Sequence, residues 1–350
     1  MSTPAPGSLK SLKLGNIQRK IVNLSERALV ETSFLTAGQT LPLVLKPVLE
    51  GAELASFDPI GWARESSGFL AESLARHGAL LFRGFEMTNA RLFERFAQVT
   101  CGELYDENSE HVPVGDSDFV QTPVFYAPEQ KLLWHNENSF NLSWPRKILF
   151  CCHTPAATGG ETPIVDSRQV FAALDAEVRR PFVDKGVMYV RNYSAELGLD
   201  WRTVFRTESR AEVEERCRAN AMSFEWKAGD LLRTRAVRPA VLAQVDGAVS
   251  WFNQAQHWHF SCLDAATRQA LLALFDEEDL PRNCYYGDGS PIPDSAMAHI
   301  LGVYERLEVS FPWQRGDVLL VDNVLAAHAR NPFTGERKIL VALGEMTSFG

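Results

Sequence analysis

The sequence lacks the features that mark secreted, membrane-spanning and polyanion-binding proteins. Its 350 residues contain no run of about 18 apolar residues, so no membrane-spanning helix is expected. Residues 1–7 are small and polar and lack the charged start and apolar stretch of a secretory signal. The formal net charge is −9, which argues against a nucleic acid partner because phosphate contact needs clustered Lys and Arg. We therefore expect a cytoplasmic protein that binds neither membranes nor nucleic acids.

Cysteine pairs with metal-binding or redox spacing are also missing. None of the six cysteines belongs to a Cys-x-x-Cys pair, so the sequence offers no zinc ribbon. The adjacent Cys151 and Cys152 point to opposite faces if their segment is a strand. Buried, reduced thiols are the expected state of cysteines in a cytosolic protein.

The length and composition are those of a globular chain. The hydrophobic fraction is 45%, and 350 residues can bury a core without disulfides or structural metals. We expect residues 1–35 to form a loosely ordered, mildly basic arm and residues 36–350 to form a single domain. Residues 103–130 are polar and without periodicity, which predicts either a lid over a site or a surface excursion.

Apolar periodicity predicts a domain of many strands with a few helices. Predicted helices cover residues 63–77, a segment capped by Thr88, a segment capped by Ser167, and residues 264–276 and 294–305. Predicted strands cover residues 79–85, 148–153, 187–193, 318–322 and 339–343, and residues 241–253 form a hairpin with Asp246-Gly247 at its turn.

Two histidines and one carboxylate form the most informative pattern in the chain. His135 and Glu137 are two residues apart, and His328 lies far downstream. Residues i and i+2 of a strand point to the same side of a sheet, so His135 and Glu137 can reach one metal if a distant strand supplies His328. Two imidazoles and one carboxylate fill one face of a six-coordinate iron and leave positions open for substrate and oxygen. A lone His-x-Glu is weak, and the alternative is a hydrogen-bonded core or surface histidine.

Longer stretches around these residues carry a family resemblance. They are the segment from Gly159 to Pro163, the segment from Val318 to Asn323, and the segment from Pro332 to Lys338. With Leu80 to Phe85 and Trp134 to Thr162, they resemble the taurine dioxygenase and clavaminate synthase-like family of iron(II)/2-oxoglutarate oxygenases, from about residue 80 to residue 343. Residues 280–283 and 286–291 resemble the branch that hydroxylates amino acids for nonribosomal peptide assembly, the syringomycin-type hydroxylases.

This resemblance implies a fold, a metal and two cosubstrates. The fold would be mainly β with flanking helices, a double-stranded β-helix or cupin-like jelly roll. His135, Glu137 and His328 would bind Fe(II), and 2-oxoglutarate and O2 would be the cosubstrates. Iron halogenases related to the family have a small residue in place of the carboxylate ligand. Because this chain keeps Glu137, we expect oxygenation, although desaturation and epoxidation use the same iron ligands.

The resemblance also implies a binding site for 2-oxoglutarate. Arg337 matches the family arginine that holds the far carboxylate, and a planar guanidinium suits a carboxylate because it donates two hydrogen bonds. Thr162 matches the threonine that adds a hydroxyl to the same site. The alternatives are a surface arginine beside Lys338 and a threonine with only a turn role.

Other polar residues are weaker candidates. His257 and His259 would share a face in an extended segment, as a rival metal site or as pocket-lining donors to substrate. Asp322 and Asn323 could orient a metal ligand or cap a turn.

The expected function is oxygenation of an amino-acid-like substrate, free or bound to a peptidyl carrier protein, in natural-product (antibiotic) biosynthesis. One competing hypothesis is a zinc metallohydrolase on a cupin-like scaffold, since zinc also takes two histidines and a glutamate, although no His-Glu-x-x-His helix is present. A non-catalytic cupin-like binding protein is the other.

Overall fold

The computed structural model describes residues 29–105, 112–114, 117, 119–123, 125–194, 200–244 and 247–349. Residues 1–28 of the expected arm lie outside this range. Residues 30–34 of that arm are ordered, because strand β1 (Val30–Phe34) pairs with β2 (Leu43–Pro47), so the folded domain begins before residue 36. No helix in the described part of the chain is both long enough and apolar enough to cross a membrane.

The described elements are mostly strands, as predicted. After β1 and β2 they are β3 Ala79–Phe82, β4 Val112–Pro113, β5 Gln121–Thr122, β6 Leu132–His135, β7 Ser143–Thr154, β8 Thr158–Gly159, β9 Ile164–Asp166, β10 Val187–Tyr193, β11 Met222–Lys227, β12 Leu231–Arg238, β13 Val241–Ala243, β14 Val249–Trp251, β15 Arg282–Tyr286, β16 Val318–Asp322, β17 Ala326–Arg330, β18 Phe333–Thr334 and β19 Lys338–Ser348. The α-helices are α1 Gly51–Ala55, α2 Pro59–Glu65, α3 Ser67–His77, α4 Ala90–Cys101, α5 Ser167–Ala173, α6 Ala176–Lys185, α7 Trp201–Phe205, α8 Arg210–Ala219, α9 Ala255–Trp258, α10 Ala265–Leu274 and α11 Asp294–Leu307.

Two facing sheets form the centre of the domain. The larger has the strand order β1-β2-β3-β16-β7-β19-β5-β4, and the smaller has the order β6-β17-β9. Strand β16 is fully buried between β3 and β7, which explains its uninterrupted apolar sequence. Side chains on one face of the large sheet pack against α2, α3 and α4, while those on the other face meet Ile164 and Ala326 of the small sheet.

Side-chain alternation assigns each core residue to one of these layers. Cys151 belongs to the helix-facing layer and Cys152 to the layer between the sheets, as predicted for neighbours on a strand. All six cysteines are free thiols, and burial raises the pKa of Cys101 and Cys152 to about 12. These two thiols are therefore uncharged at neutral pH and act as small apolar residues.

A separate four-stranded sheet covers one side of the small sheet. Its order is β11-β12-β10-β15. Trp134 and Ala327, on the outer face of the small sheet, belong to the same core cluster as Tyr189 of β10 and Tyr304 of α11. The Trp134 and Tyr304 rings are stacked, with centroids 5.4 Å apart. This sheet is therefore joined to the jelly roll by a continuous apolar core.

Several predicted boundaries were wrong for local reasons. The helix predicted at 63–77 is two helices separated at Ser66, although Gly78 ends the second as expected, with φ of 74°. The strand predicted at 79–85 ends at Phe82. The cap of α4 is Asn89, not Thr88, because the Asn89 side chain accepts from the Leu92 amide at 2.9 Å.

The cap of α5 was also misplaced by one residue. Asp166, not Ser167, accepts the Arg168 amide at 2.8 Å and so begins the helix. The predicted hairpin is present as β13 and β14, but Asp246 of its expected turn lies outside the described residues.

Candidate metal and cosubstrate site

Strand pairing brings together the three predicted metal ligands. His135 ends β6 and His328 lies in the middle of β17, and they are direct cross-strand partners. This pairing is how side chains 193 positions apart in the chain become neighbours. The predicted strand position of Glu137 is wrong. This residue lies in the turn that follows β6.

The donor atoms of these residues converge on one point. One Glu137 carboxylate oxygen, Oε2, lies 3.7 Å from Nε2 of His135 and 3.7 Å from Nε2 of His328. All three donor atoms lie within 4.8 Å of one another. Among the described residues, no other group of three or more His, Cys, Asp or Glu side chains meets this criterion. The geometry fits one shared ion.

The histidine rings are oriented for that role. His135 Nδ1 is 2.8 Å from the Leu133 carbonyl oxygen, which can only accept, so Nδ1 carries the proton and Nε2 keeps its lone pair. The ring of His328 lies 4.3 Å from that of His135 and 5.0 Å from that of Phe150, between the two sheets. Both histidines are buried.

Asn323 holds the turn that carries Glu137. Its side-chain oxygen accepts from the Glu137 amide at 2.7 Å, and its side-chain nitrogen donates to the Glu137 carbonyl at 2.9 Å. The same nitrogen donates to the Pro145 carbonyl at 2.9 Å. Of the two roles considered for Asn323, the structure shows the orienting one, because it fixes the main chain on both sides of the Glu137 Cα.

Asp322 has the other role. Its Oδ1 accepts from the amides of Val324 and Leu325, which closes the turn before β17. Its Oδ2 pairs with Arg146 at 2.9 Å. Burial raises the pKa of Asp322, and Arg146 opposes that effect. Asp322 thus supports the loop and does not reach the metal ligands in any described contact.

Arg337 and Thr162 lie in the same cavity as the three ligands. Arg337 Nε donates to the Gly160 carbonyl at 2.8 Å, and no carboxylate among the described residues forms an ion pair with its guanidinium. Burial lowers its pKa to about 10, so it is still cationic at neutral pH. Thr162 is buried, and its hydroxyl oxygen accepts from the Trp313 indole at 3.2 Å. A half-buried cation with no ion-paired carboxylate among the described residues is an expected feature of an anion-binding site.

Gly160 makes room for Arg337. It has φ of +73°, and a Cβ there would lie 2.9 Å from Arg337 Cδ. Only glycine adopts this backbone conformation without strain and leaves the arginine in place. The Gly-Gly pair before Thr162 in the sequence is the signal of this close approach.

The cavity has a volume of about 840 Å³ and extends from Arg337 to the four-stranded sheet. His257 lines it, and its ring stacks on that of His135 at 5.3 Å. Burial lowers the pKa of His257 well below its usual value, and the neighbouring His135 and Arg282 lower it further. His257 therefore contributes a neutral imidazole to the cavity wall.

The rival metal site is not formed. His257 lies in α9, not in an extended segment, so His259 does not share its face. His259 Nδ1 instead lies 2.8 Å from the Ser261 hydroxyl. One of the two predicted roles of His257, lining the pocket, is the observed one.

Part of the predicted lid lies at the cavity mouth. Phe125 and Tyr126 line the cavity, and Phe125 is 87% exposed. Arg330, which the sequence analysis did not single out, donates to the carbonyls of Tyr126 and Ala127 at 2.8 and 2.6 Å. Residues 106–111 of the predicted lid lie outside the described part.

Comparison with known proteins shows the family to which this chain belongs. Residues 42–343 match the family described as taurine catabolism dioxygenase TauD, TfdA family. The chain belongs to the TauD/TfdA family. A dapdiamide synthesis protein, DdaC, of Enterobacter agglomerans is 39% identical over 275 residues, covering 78% of this chain and 83% of the relative. A clavaminate synthase-like protein of Arabidopsis thaliana is 30% identical over 292 residues, covering 79% of this chain and 84% of the relative.

A solved structure has a similar fold. The crystal structure of PvcB from Pseudomonas aeruginosa matches with a TM-score of 0.50 at 14% identity and covers 90% of each chain. At this identity the likeness shows the fold, and it confirms the predicted jelly roll. The protein is a 2-oxoglutarate-dependent non-haem iron dioxygenase, whose cofactor is Fe(II) and whose cosubstrates are 2-oxoglutarate and O2. The donor set of this chain, two imidazoles and a carboxylate, fits that ion.

Proposed function

We propose that His135, Glu137 and His328 hold Fe(II), that Arg337 and Thr162 bind the far carboxylate of 2-oxoglutarate, and that the enzyme hydroxylates an amino-acid-like substrate, free or carrier-bound. The observation that carries this proposal is that the predicted metal ligands and the predicted 2-oxoglutarate residues line one cavity. Three donor atoms within 4.8 Å of one another share it with a half-buried arginine that has no ion-paired carboxylate among the described residues.

The chain's own residues have separate tasks in this scheme. His135, Glu137 and His328 would hold the ion with one donor atom each. Arg337 would donate to both oxygens of the far carboxylate, and the Thr162 hydroxyl, which accepts from Trp313, keeps its own hydrogen for the same anion. When bound, Fe(II) with 2-oxoglutarate and O2 supplies the oxidation of an unactivated C–H bond, with succinate as coproduct.

Apolar side chains form part of the cavity wall. Phe150, Ile339 and Val341 of the large sheet and Trp258 of α9 line the cavity. An apolar wall strengthens the attraction between Arg337 and a carboxylate, since it lowers the local dielectric constant. It also limits unproductive reaction with water.

An amino-acid-like substrate is supported by likeness to DdaC, a protein of dapdiamide synthesis, and by residues 280–283 and 286–291, which resemble syringomycin-type hydroxylases. Pro281 and Arg282 in that stretch line the cavity. We propose that residues 103–130 act as a lid over this end, because Phe125 and Tyr126 lie at the mouth. Desaturation or epoxidation by the same ligand set is the second candidate.

The test is anaerobic reconstitution with Fe(II), followed by measurement of O2 uptake and succinate with 2-oxoglutarate, with a Zn(II)-loaded sample as the control. Free amino acids and their carrier-bound forms are then screened by product mass. We expect iron-dependent succinate and gain of one oxygen atom. Loss of two hydrogens indicates desaturation. A protein that is active with zinc and forms no succinate with iron contradicts the proposal and supports the hydrolase.

A further inference from the structure

The main chain on both sides of His135 is hydrogen-bonded to one short helix. Gln256 of α9 donates from its side-chain amide to the Trp134 carbonyl, one residue before His135. Gln254, the residue that precedes α9, donates from its side-chain amide to the Asn136 carbonyl at 3.2 Å, one residue after His135. Because a carbonyl oxygen only accepts, each glutamine directs its nitrogen and not its oxygen at this segment. The segment that carries the proposed metal ligand is therefore held at both ends by the same helical turn.

A third contact from this turn reaches the ring of His135. The ring of His257 stacks on it, with centroids 5.3 Å apart and an angle of 23° between the two planes. The His257 amide donates to the Gln254 carbonyl at 2.9 Å, which joins the stacked ring to one of the two glutamines. The main chain and the ring of His135 are thus both contacted by a single element.

The glutamine contacts are shielded from water. Gln254 and Gln256 are 3% and 1% exposed. The side-chain amide of Gln254 also donates to the Ser139 hydroxyl at 3.3 Å, and its main-chain amide donates to the Tyr189 hydroxyl at 3.1 Å. A buried amide that leaves its partner cannot replace it with water, so both side chains are held in the observed arrangement.

The turn is itself anchored to the rest of the fold. Asn253 donates to the Ala240 carbonyl at 2.9 Å and accepts from the Ala255 amide at 3.1 Å. The Cys284 thiol of β15 donates to the Ala255 carbonyl at 3.4 Å. Helix α9 is therefore fixed to β15 and to the residue before β13, so it is a rigid support for the side chains that it contacts.

Gln254 and Asn323 hold the two sides of one peptide group. Gln254 donates to the carbonyl of the peptide between Asn136 and Glu137, whereas Asn323 accepts from the amide of the same peptide at 2.7 Å. The carbonyl and the amide of a trans peptide point in opposite directions. Since this peptide lies between two proposed ligands, its orientation is fixed from α9 on one side and from the loop before β17 on the other.

We propose that Gln254, Gln256 and His257 are positioning residues for the metal ion and that they act through His135. The inference rests on the proposed function, since it concerns the ion that His135 is proposed to hold. Three constraints then act on this ligand. Pairing with β17 places the residue, the Leu133 carbonyl orients the ring, and α9 fixes the main chain and the plane of the ring. Residues that orient a ligand without touching the metal usually contribute about ten- to hundredfold to metal affinity.

Metal binding to the metal-free enzyme tests this role without turnover. Gln256→Met is the principal variant, because it removes the amide, keeps the length of the side chain and changes a residue that does not line the cavity. Fe(II) affinity is measured by anaerobic calorimetry, and Co(II) affinity and coordination are measured by visible absorption. We expect both affinities to fall about ten- to hundredfold and the absorption of bound Co(II) to change at saturating metal. The second change separates positioning from a general loss of stability, which does not alter the geometry around a bound ion.

Substitutions of His257 and Gln254 test the other two contacts. His257→Phe keeps an aromatic ring against His135, whereas His257→Ala removes it, so the Ala variant should bind both metals more weakly than the Phe variant. Gln254→Met should weaken metal binding in the same way as Gln256→Met. If Gln256→Met does not fold, these variants decide the proposal, and wild-type affinities and Co(II) absorption in all three overturn it.

Arg238→Met is the matched control for the loss of a buried donor. Arg238 is 3% exposed, donates to the Asn220 carbonyl at 2.7 Å and does not line the cavity. Its other hydrogen bonds in the described part of the chain are to the carbonyls of residues 221 and 237. Urea unfolding of the metal-free proteins measures the stability lost in each variant. The control should lose stability and keep the wild-type metal affinities and Co(II) absorption.

The outcomes separate this proposal from the proposed function. Wild-type metal affinity and Co(II) absorption in Gln256→Met overturn the positioning role, and so does an equal fall in metal affinity in Arg238→Met. A wild-type enzyme that binds neither metal, or that binds them as tightly after His328→Ala, contradicts the proposed metal site instead.

Discussion

The two walls of the cavity are built in contrasting ways. On the jelly-roll wall, the predicted metal ligands are held by strand register, by the Asn323 contacts and by burial between two sheets. On the opposite wall, Arg191 of the inner strand β10 is half-buried, and Arg282 of the edge strand β15 is exposed. The difference teaches that the predicted metal site depends on the core of the fold, whereas the cavity wall on the four-stranded sheet can change without altering that core.

The largest effect is expected at the metal ligands. His328→Ala should abolish iron binding and lower 2-oxoglutarate turnover more than about hundredfold, beyond the 10–100-fold effects of residues that only orient ligands. Iron content and succinate formation measure it, and circular dichroism checks the fold. An Ala variant that retains iron and turnover would mean that the triad is not the metal site.

Ion pairs also differ in burial, and this difference predicts that the stability cost of breaking them depends differently on pH. Arg83 pairs with Asp317, whose side chain is 1% exposed, at 2.8 Å. Burial raises the pKa of Asp317 above its ordinary 3.8 even with Arg83 present. The folded protein thus binds this proton more tightly than the unfolded chain, and stability falls as pH rises through the interval between the two pKa values. Arg83→Gln should cost about 3–5 kcal/mol at neutral pH and less at pH 4.5, where Asp317 is protonated more easily.

Arg233 provides the comparison. Its carboxylate partner Asp279 is 42% exposed and has a lowered pKa, so it is ionised at both pH 4.5 and pH 7. Urea unfolding of Arg233→Gln should therefore show a smaller cost that is flat over this range. Equal pH slopes for the Arg83 and Arg233 variants would contradict the role assigned to burial.

Substitution of Arg337 should change the KM for 2-oxoglutarate selectively. Arg337→Gln should raise the KM for 2-oxoglutarate about ten- to hundredfold, because a charge-assisted pair is lost. Arg337→Lys should recover only part of this, since lysine lacks the planar fork. The exposed Arg315→Gln is the control, and a similar KM in both Gln variants would rule out Arg337 as the cosubstrate anchor.

Asn323 should affect the metal indirectly. Asn323→Ala removes the contacts on both sides of Glu137, and we expect about tenfold weaker iron binding, at the low end for residues that orient ligands. Asn323→Asp keeps the acceptor for the Glu137 amide and loses the two donations to carbonyls. The iron affinity of the Asp variant should lie between those of wild type and Ala. An Asp variant that binds iron more weakly than the Ala variant would contradict the role assigned to Asn323.

The smallest effect is expected at Thr162. Thr162→Val removes one neutral hydroxyl and should raise the KM for 2-oxoglutarate only a few-fold, in line with about 1 kcal/mol for such a hydrogen bond. Thr162→Ser should stay close to wild type. Kinetics at saturating iron distinguish these outcomes, and an unchanged KM in the Val variant would remove Thr162 from the site.

Local chemistry explains which parts of the site were predictable. His135, Glu137 and His328 stand out because few residue types bind iron, and the family resemblance adds Arg337 and Thr162. Sequence spacing alone could not show that Glu137 leaves the strand, because a turn residue at i+2 reaches the same point as a strand residue.

The unpredicted residues depend on tertiary contacts. Arg191 and Arg282 are 91 positions apart, and only the register of β10 and β15 makes them partners. Arg330 looks like any cation at a strand end until its contacts with the carbonyls of residues 126 and 127 are seen. The fold class was predictable from the family resemblance, whereas the apolar pattern alone predicted only many strands with a few helices. The N-cap residues Asn89 and Asp166 were each missed by one position, because neighbouring polar residues compete as caps.

The hydrogen bonds between Asn323 and the main chain of Glu137 have an evolutionary consequence. Every described contact from Asn323 to residue 137 is to the peptide group, not to the carboxylate. These two contacts are therefore independent of the side chain at residue 137, provided that the backbone conformation is allowed. A single substitution at this position changes the group offered to the predicted metal site and leaves both Asn323 contacts available, so chemistry can vary here before the scaffold does.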